Sequence, residues 1–260
     1  MKNLQLEAAD LRKIFEHSIS VRDISSEFIY HSGKDIDINA NKEIDENNFD
    51  VVGIRKNGIS GYLTRSEIKS GKSIDLKPFQ PEELISETTP LIDLFPLLKE
   101  KERVFVLTKN KIDRIVTRYD IQKAPVRMLI FGFISILEMH FLRIIKEKYP
   151  MDSWQQYLNK NRIKYANKLY SERKARNEEL DLVDYIQLAD KRDLLMGNKK
   201  ILEKIGYNKK DFNKFLKKVE ILRNKLAHSH ELEQGSSWPD IINLTIDIEI
   251  LIKKLETIKT

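Results

Sequence analysis

The sequence predicts an α+β protein of two parts, an α/β part in residues 1–124 and an all-α bundle in residues 125–260. An internal repeat with strand-like runs occupies the first part. From Pro125 onward, apolar residues recur at three- and four-residue steps, which is typical of helices. The charge also changes: residues 1–124 hold 20 Lys and Arg against 21 Asp and Glu, whereas residues 125–260 hold 26 against 19.

The composition indicates a folded, soluble protein. The chain has 260 residues, of which 41% are hydrophobic and 33% are charged. It contains no cysteine, which excludes disulfides and thiolate metal sites. Residues 1–18 are amphipathic and charged and do not read as a signal peptide, so we expect a cytoplasmic protein.

One apolar run, Val126–Ile145, has to be weighed as a membrane span. Arg127, Glu138, His140 and Arg143 interrupt it, and the stretch between charges is too short to cross a bilayer. We therefore interpret it as a core or dimer-interface helix, and we expect no membrane partner.

The repeat aligns Asp50–Ile68 with Arg103–Ile121 at a constant offset of 53, with seven identities in 19 positions. Each copy reads as two β-rich runs joined by a Lys-Asn turn, in which Asn and Gly are expected to supply the positive φ of a tight hairpin. A Thr-x-x-acid box follows each hairpin, as Thr64 with Glu67 and as Thr117 with Asp120. A helix should begin at each box.

Hairpin, threonine box and helix together resemble the CBS (cystathionine-β-synthase-type) repeat, two of which form one Bateman-type α/β module. The resemblance covers residues 18–124. It implies that the threonine binds phosphate and the acid binds the ribose of an adenine nucleotide (AMP, ADP, ATP, S-adenosylmethionine or a cyclic adenylate). The implied ligand-binding residues are Thr64, Arg65, Glu67, Thr117, Arg118 and Asp120, with the arginines placed to pair with phosphate.

Two positions depart from the family pattern. A glycine usually stands three residues before the threonine; Gly61 is present in the first copy, but Arg114 replaces it in the second. Glu67 replaces the usual aspartate. The alternative interpretation of each box is a helix cap without a ligand.

The second part should contain six helices, predicted over Val126–Lys148, Trp154–Arg176, Leu180–Leu195, Asn198–Ile205, Asp211–His228 and Pro239–Ile258. Near the end of the fifth, Arg223 and Asn224 precede His228 in a pattern that resembles the signature of HEPN domains. This resemblance covers residues 126–258. It implies a metal-independent ribonuclease that dimerises so that two motifs face each other.

The residue types suit RNA cleavage. The imidazole of His228 can transfer protons near neutral pH, and the planar guanidinium of Arg223 matches phosphate oxygens. Asn224 lies four residues before His228 and is expected to orient it, with His230 as the reserve candidate for proton transfer. Glu138 is expected to face Arg223 as an ion-pair partner. We expect no cofactor for catalysis, single-stranded RNA as substrate, and a homodimer.

Two functions remain open. The first is an endoribonuclease regulated by an adenine nucleotide bound to the CBS pair, in a stress or anti-phage defence role that only the two resemblances imply. The second is a non-catalytic nucleotide-sensing dimer, in which the helical part mediates dimerisation or binds RNA or another partner. Mutation of His228 distinguishes them, since it would leave a non-catalytic protein unaffected.

Overall fold

The computed structural model describes residues 8–32, 42, 44–47, 49–56, 59–70, 76–176, 181–228 and 231–258. The chain divides into two compact units. One comprises residues 15–125 and is called the α/β unit here; the other comprises residues 126–260 and the segment up to Ile14, and is called the helical unit. The division falls one residue from the expected boundary, and residues 8–14 group with the helical unit. The protein is therefore a mixed α+β protein with a helical C-terminal region.

The α/β unit contains two small sheets. Its strands are β1 (Ser26–Glu27), β2 (Tyr30–Ser32), β3 (Val51–Lys56), β4 (Ile59–Thr64), β5 (Leu84–Ser86), β6 (Arg103–Thr108) and β7 (Lys111–Thr117). One sheet has the order β2-β3-β4 and the other the order β1-β7-β6-β5. The helices are α1 (Ala8–Ser18), which runs into this unit, α2 (Arg65–Ser70) and α3 (Leu94–Glu100), with residues 44–47 also helical.

The two sheets repeat one topology, as the internal repeat predicts. In each, a short strand pairs in parallel with the first strand of an antiparallel hairpin: β2 with β3, and β5 with β6. A helical segment lies between the short strand and the hairpin in both copies, at residues 44–47 and at α3. The predicted helix after Thr64 is α2, whereas a 3-10 turn, Arg118–Gln122, follows Thr117.

The second hairpin corrects one detail of the prediction. Its left-handed residue is Lys109, with φ of 57°, rather than Asn110. The turn has two residues, because Thr108 pairs with Lys111, and a register shift between Val106 and Leu107 adds a bulge close to it. The equivalent turn at Asn57 and Gly58 lies outside the described residues.

Alternation along the strands builds the core of the α/β unit. Side chains from both sheets meet in an aromatic cluster of Phe28, Val51, Tyr62, Phe105 and Ile115. Residues next to these along the first sheet, Val52, Ile54 and Leu63, join Ile44 and Ile68 from the helical segments in a second cluster. Because side chains alternate between the faces of a strand, the first sheet is covered on both faces.

Besides the first part of α1, the described residues of the helical unit form six α-helices: α4 (Ala124–Lys148), α5 (Lys160–Lys174), α6 (Leu188–Met196), α7 (Lys199–Ile205), α8 (Lys209–Ala227) and α9 (Trp238–Glu256). Four of them, α4, α7, α8 and α9, match the predicted helices to within two residues at either end. The other two begin later than expected. In place of their first turns lie the 3-10 segments Pro150–Tyr157 and Leu182–Tyr185.

Local capping explains both late starts. Asn159 caps α5, accepting a hydrogen bond from the backbone nitrogen of Arg162 at 3.0 Å. Asp190 accepts from the backbone nitrogen of Gln187 at 3.0 Å at the start of α6. Caps of this kind stop a helix from extending backwards, so apolar periodicity alone overestimates its length.

By its length and composition, helix α4 could cross a membrane. However, half of its most apolar 18-residue stretch is buried inside the protein. Its two arginines are used inside the helical unit. Arg127 donates to the main-chain oxygen of Lys225 at 3.1 Å, and Arg143 donates to that of Leu255 at 2.8 Å. They bind the C-terminal ends of α8 and α9, where main-chain oxygens lack helical partners.

Candidate functional sites

The first threonine box is closed by hydrogen bonds within itself. Glu67 Oε2 accepts from the backbone nitrogen of Thr64 at 2.8 Å and from its hydroxyl at 2.6 Å. Lys77 Nζ lies 2.8 Å from Glu67 Oε1. Burial opposes ionisation of Glu67, but the hydrogen bonds from Lys77 and Thr64 outweigh it and lower its pKa.

The second box has the same arrangement. Asp120 Oδ2 accepts from the backbone nitrogen of Thr117 at 2.6 Å and from its hydroxyl at 3.0 Å. Lys123 Nζ lies 2.7 Å from Asp120 Oδ1. Asp120 is buried, at 6% exposure, whereas the side chain of Lys123 is 39% exposed. Both acids therefore cap the turn that follows a strand, and each also holds one lysine.

The arginine after each threonine binds backbone from its own repeat. Arg65 donates from Nη2 to the oxygen of Ile44 at 3.2 Å and from Nε to that of Phe49 at 3.1 Å. Arg118 donates to the oxygens of Leu98 at 2.8 Å and Lys99 at 3.0 Å, near the end of α3. These contacts fasten the preceding helical segment to the hairpin.

Gly61 and Arg114 stand at equivalent positions in the two hairpins. A Cβ on Gly61 would lie 2.6 Å from Leu76 Cγ and closer still to the main-chain oxygen of Lys77, so glycine permits this segment to approach β4. Arg114 donates from Nε to Ser25 Oγ and from Nη2 to the Ser25 oxygen, both at 2.6 Å. The second hairpin therefore has an arginine at the position where the first has a glycine, and this arginine binds the chain beside β7.

The HEPN-like residues lie at the C-terminal end of α8. Arg223, Asn224 and His228 are all exposed, and His228 is the residue at which the helix ends. At about 100° per residue, Arg223 and His228 lie roughly 140° apart around the helix axis. Arg223 Nη1 donates to Asn224 Oδ1 at 3.4 Å. His230 lies outside the described residues.

Arg223 is held by an acid from α4. Its Nε lies 3.8 Å from Glu138 Oε1, which confirms the expected ion pair. Glu138 Oε2 in turn accepts from Lys191 Nζ at 2.9 Å, and Lys191 is buried at 7% exposure. A buried ammonium thus fixes the acid that faces Arg223, an arrangement that helix periodicity alone did not indicate because Lys191 reads as a surface residue.

Lys225 orders the loop that follows α8. Its ammonium donates to the main-chain oxygens of Leu232 at 2.8 Å and Gln234 at 2.5 Å, and to Ser236 Oγ at 3.2 Å. Burial of this ammonium lowers its pKa. This role could not be predicted from the sequence, since the loop carbonyls that Lys225 binds cannot be recognised from residue types. His140, on α4, is half-buried and lies within a largely apolar helix.

Among the residues that the structure describes, no group of three or more His, Asp and Glu side chains is arranged to hold a metal ion. Comparisons with protein-family models, with curated proteins and with solved structures found no match for this chain. Its function is therefore inferred from its own residues and their geometry.

Proposed function

We propose that the helical unit is a metal-independent endoribonuclease of the HEPN type, with Arg223, Asn224 and His228 at its active site. The observation that carries this proposal is the exposure of all three residues at the C-terminal end of α8, where Arg223 forms an ion pair with Glu138, an acid that Lys191 also binds. When a ribose 2′-OH attacks the adjacent phosphate, the reaction requires a group that transfers protons and a group that stabilises negative charge. An exposed imidazole and an exposed guanidinium can supply these two functions. His228 transfers protons, and Arg223 binds the scissile phosphate and stabilises its developing charge.

The active unit in this proposal is a homodimer. Arg223 and His228 lie on different sides of α8, so they are not side by side within one copy of the protein. Helix α4 offers apolar side chains to solvent, with Met128 63% exposed, Phe131 42% and Met139 39%. Association through such a surface would remove apolar area from water and bring two motifs together.

RNA cleavage by the purified full-length chain tests the proposal. Cleavage should persist in EDTA, leave cyclic-phosphate ends and prefer unpaired RNA, because in-line attack needs a flexible backbone. His228→Ala should lower the rate by about 10²–10⁴-fold, the usual contribution of a proton-transfer group. Arg223→Ala should lower it by about 10²–10³-fold, the usual effect of removing one group that stabilises developing charge. Arg176→Ala and His17→Ala are matched controls on exposed residues. Undiminished cleavage in both site variants, or cleavage that requires magnesium, would refute the assignment.

We also propose that the α/β unit is a CBS pair that binds an adenine nucleotide between its two threonine boxes and so regulates the helical unit. Two copies of the box at the same place in a repeated fold support this. A ribose would take the place of Lys123 at Asp120 Oδ1 and of Lys77 at Glu67 Oε1. Both lysine side chains are partly exposed, at 39% and 45%. Lys123 also donates to the main-chain oxygen of Ile24 and to Ser26 Oγ, so a ribose at Asp120 would have to displace a lysine that these bonds hold.

A nucleotide that binds only the folded protein raises its melting temperature. We therefore expect at least one adenine compound to raise the melting temperature. The compounds to test are AMP, ADP, ATP, S-adenosylmethionine and cyclic adenylates. Asp120→Ala should abolish that shift, but it also removes a cap. Lys123→Ala keeps the cap and should preserve or increase the shift. If none of the ligands shifts the transition, the regulatory proposal fails.

The non-catalytic dimer is the second candidate, and it would associate through the same exposed apolar side chains of α4. In that case the protein would dimerise and bind RNA or a partner protein, and His228→Ala would change neither property.

A further inference from the structure

A band of lysines runs along the exposed face of α8 and ends at the proposed active site. Lys210, Lys214, Lys217 and Lys218 recur at helical spacing, and all four side chains are exposed. Ile221 and His228 continue the same face, because residues three, four and seven apart lie one above the other. The face from Lys210 to His228 is about 27 Å long at 1.5 Å per residue.

The acids of α8 do not neutralise this band. Glu220, three residues after Lys217, pairs instead with Arg192 at 3.4 Å. Asp211, three residues before Lys214, is bonded to Asn208 at the helix start. Within the described part of the chain, none of the four lysines forms an ion pair. The charge of Asp240, on α9, interacts with Lys218 and offsets part of the positive charge there. The band as a whole therefore still presents a positive surface to a polyanion.

A small cavity opens beside the band. It has a volume of about 210 Å³ and lies between α8 and α9. Its walls are mainly apolar, from Ile221, Leu222, Ile241 and Leu244, and Lys218 lines it as well. Its size suits one ring system rather than a larger ligand. Asp240 also lines it, and that carboxylate disfavours a phosphate inside the cavity.

We propose that this face of α8 binds the sugar–phosphate backbone of single-stranded RNA along Lys210, Lys214, Lys217 and Lys218, while an unstacked base enters the adjoining cavity. A lysine row alone would accept any polyanion, but an apolar cavity next to it favours a chain whose bases are free to turn outward. Duplex RNA keeps its bases stacked, and an acidic peptide offers no ring at each charge. The inference rests on the proposed function, for which it supplies the path that leads the substrate to His228.

Binding is measured by fluorescence anisotropy with a labelled 2′-O-methyl RNA, which cannot undergo 2′-OH attack. The double variant Lys214→Ala/Lys218→Ala should lower affinity about tenfold or more and reduce the salt slope by about 1.4, since each phosphate contact on a single strand contributes about 0.7. Lys160→Ala/Lys164→Ala removes two exposed lysines at the same spacing on α5 and should change neither value. Equal affinity of the first variant and the unaltered protein, or an equal loss in the control, overturns the proposal.

The cavity has its own test. Ile221 is 55% exposed, so Ile221→Ser removes an apolar wall with little risk to folding. It should weaken binding of single-stranded RNA while leaving binding of inorganic polyphosphate unchanged. Equal affinity for RNA, polyphosphate and polyglutamate would contradict a base-binding cavity. Because the probe cannot be cleaved, tight lysine-dependent binding without ribonuclease activity would reject only the proposed function, and cleavage that is indifferent to the lysines would reject only this inference.

Discussion

Gly61 and Arg114 occupy the same position in the two hairpins, and each meets the segment of chain that pairs with the second strand of its hairpin. Next to Gly61, Lys77 pairs with Tyr62; next to Arg114, Ser26 pairs with Ile115. Tyr62 and Ile115 are themselves equivalent in the repeat. Two different residues thus allow a chain segment to pair beside the hairpin. Gly61 leaves space for that segment, and Arg114 donates hydrogen bonds to it.

Gly61→Ala should destabilise the α/β unit, because its Cβ would collide with main chain and with Leu76. Overpacking of this kind typically costs about 1–3 kcal/mol. Calorimetry of the purified protein would show the loss as a lower transition temperature. Ser60→Ala, at the exposed neighbouring position, is the control and should melt with the unaltered protein. A Gly61→Ala protein that is equally stable would mean that this close approach does not exist.

Arg118→Ala should also weaken the α/β unit, whether or not a nucleotide binds there. The guanidinium holds the oxygens of Leu98 and Lys99, and hydrogen bonds from a charged group contribute about 1.5–3 kcal/mol. Urea denaturation would measure the change in the free energy of unfolding. Arg22, whose side chain is 71% exposed, provides the control variant Arg22→Ala. A loss confined to ligand binding, with stability unchanged, would contradict this structural role.

The repeat, both hairpins and four of the six helices of the helical unit could be predicted from the sequence, because spacing and periodicity determine them. The roles of Arg65, Arg118 and Lys225 could not, since their partners are main-chain oxygens that leave no mark in residue types. The late starts of α5 and α6 were missed for a related reason. Asn159 and Asp190 act through backbone nitrogens at positions that apolar periodicity passes over.

Lys191→Met should destabilise the helical unit by about 3 kcal/mol, because it leaves Glu138 with only its longer contact to Arg223. Both tryptophans of the protein lie in residues 126–260, so their fluorescence follows this unit during denaturation. Lys199→Met is the matched control, as the side chain of Lys199 is 91% exposed. Adding Glu138→Leu to Lys191→Met should recover stability, and failure to recover would indicate a cause other than the unpaired acid.

The stability of the helical unit should fall as the solution is acidified below pH 6.5. Burial, together with the nearby charge of Arg143, lowers the pKa of His140 from 6.5, so the unfolded chain takes up this proton before the folded one does. The contribution of neutral His140 to the free energy of unfolding is complete above pH 6.5. It is lost as the pH falls through the lower pKa that His140 has in the folded state. Urea titrations followed by tryptophan fluorescence at pH 7.5 and pH 5.5 would measure it. His140→Gln should reduce the difference in unfolding free energy between pH 7.5 and pH 5.5. An unchanged difference would mean that it arises from a group other than His140.

The arginine contacts of the α/β unit explain how its two halves have diverged in sequence without losing their common form. Arg65 binds the main-chain oxygens of Ile44 and Phe49, and Arg118 binds those of Leu98 and Lys99 in α3, so the contacts of each arginine lie wholly within one copy. The atoms they grip belong to the peptide backbone, which every amino acid supplies. Mutations could therefore accumulate in either short helix without a matching change in the other copy, provided that the arginine stayed. Both arginines are among the seven identities that remain in 19 aligned positions.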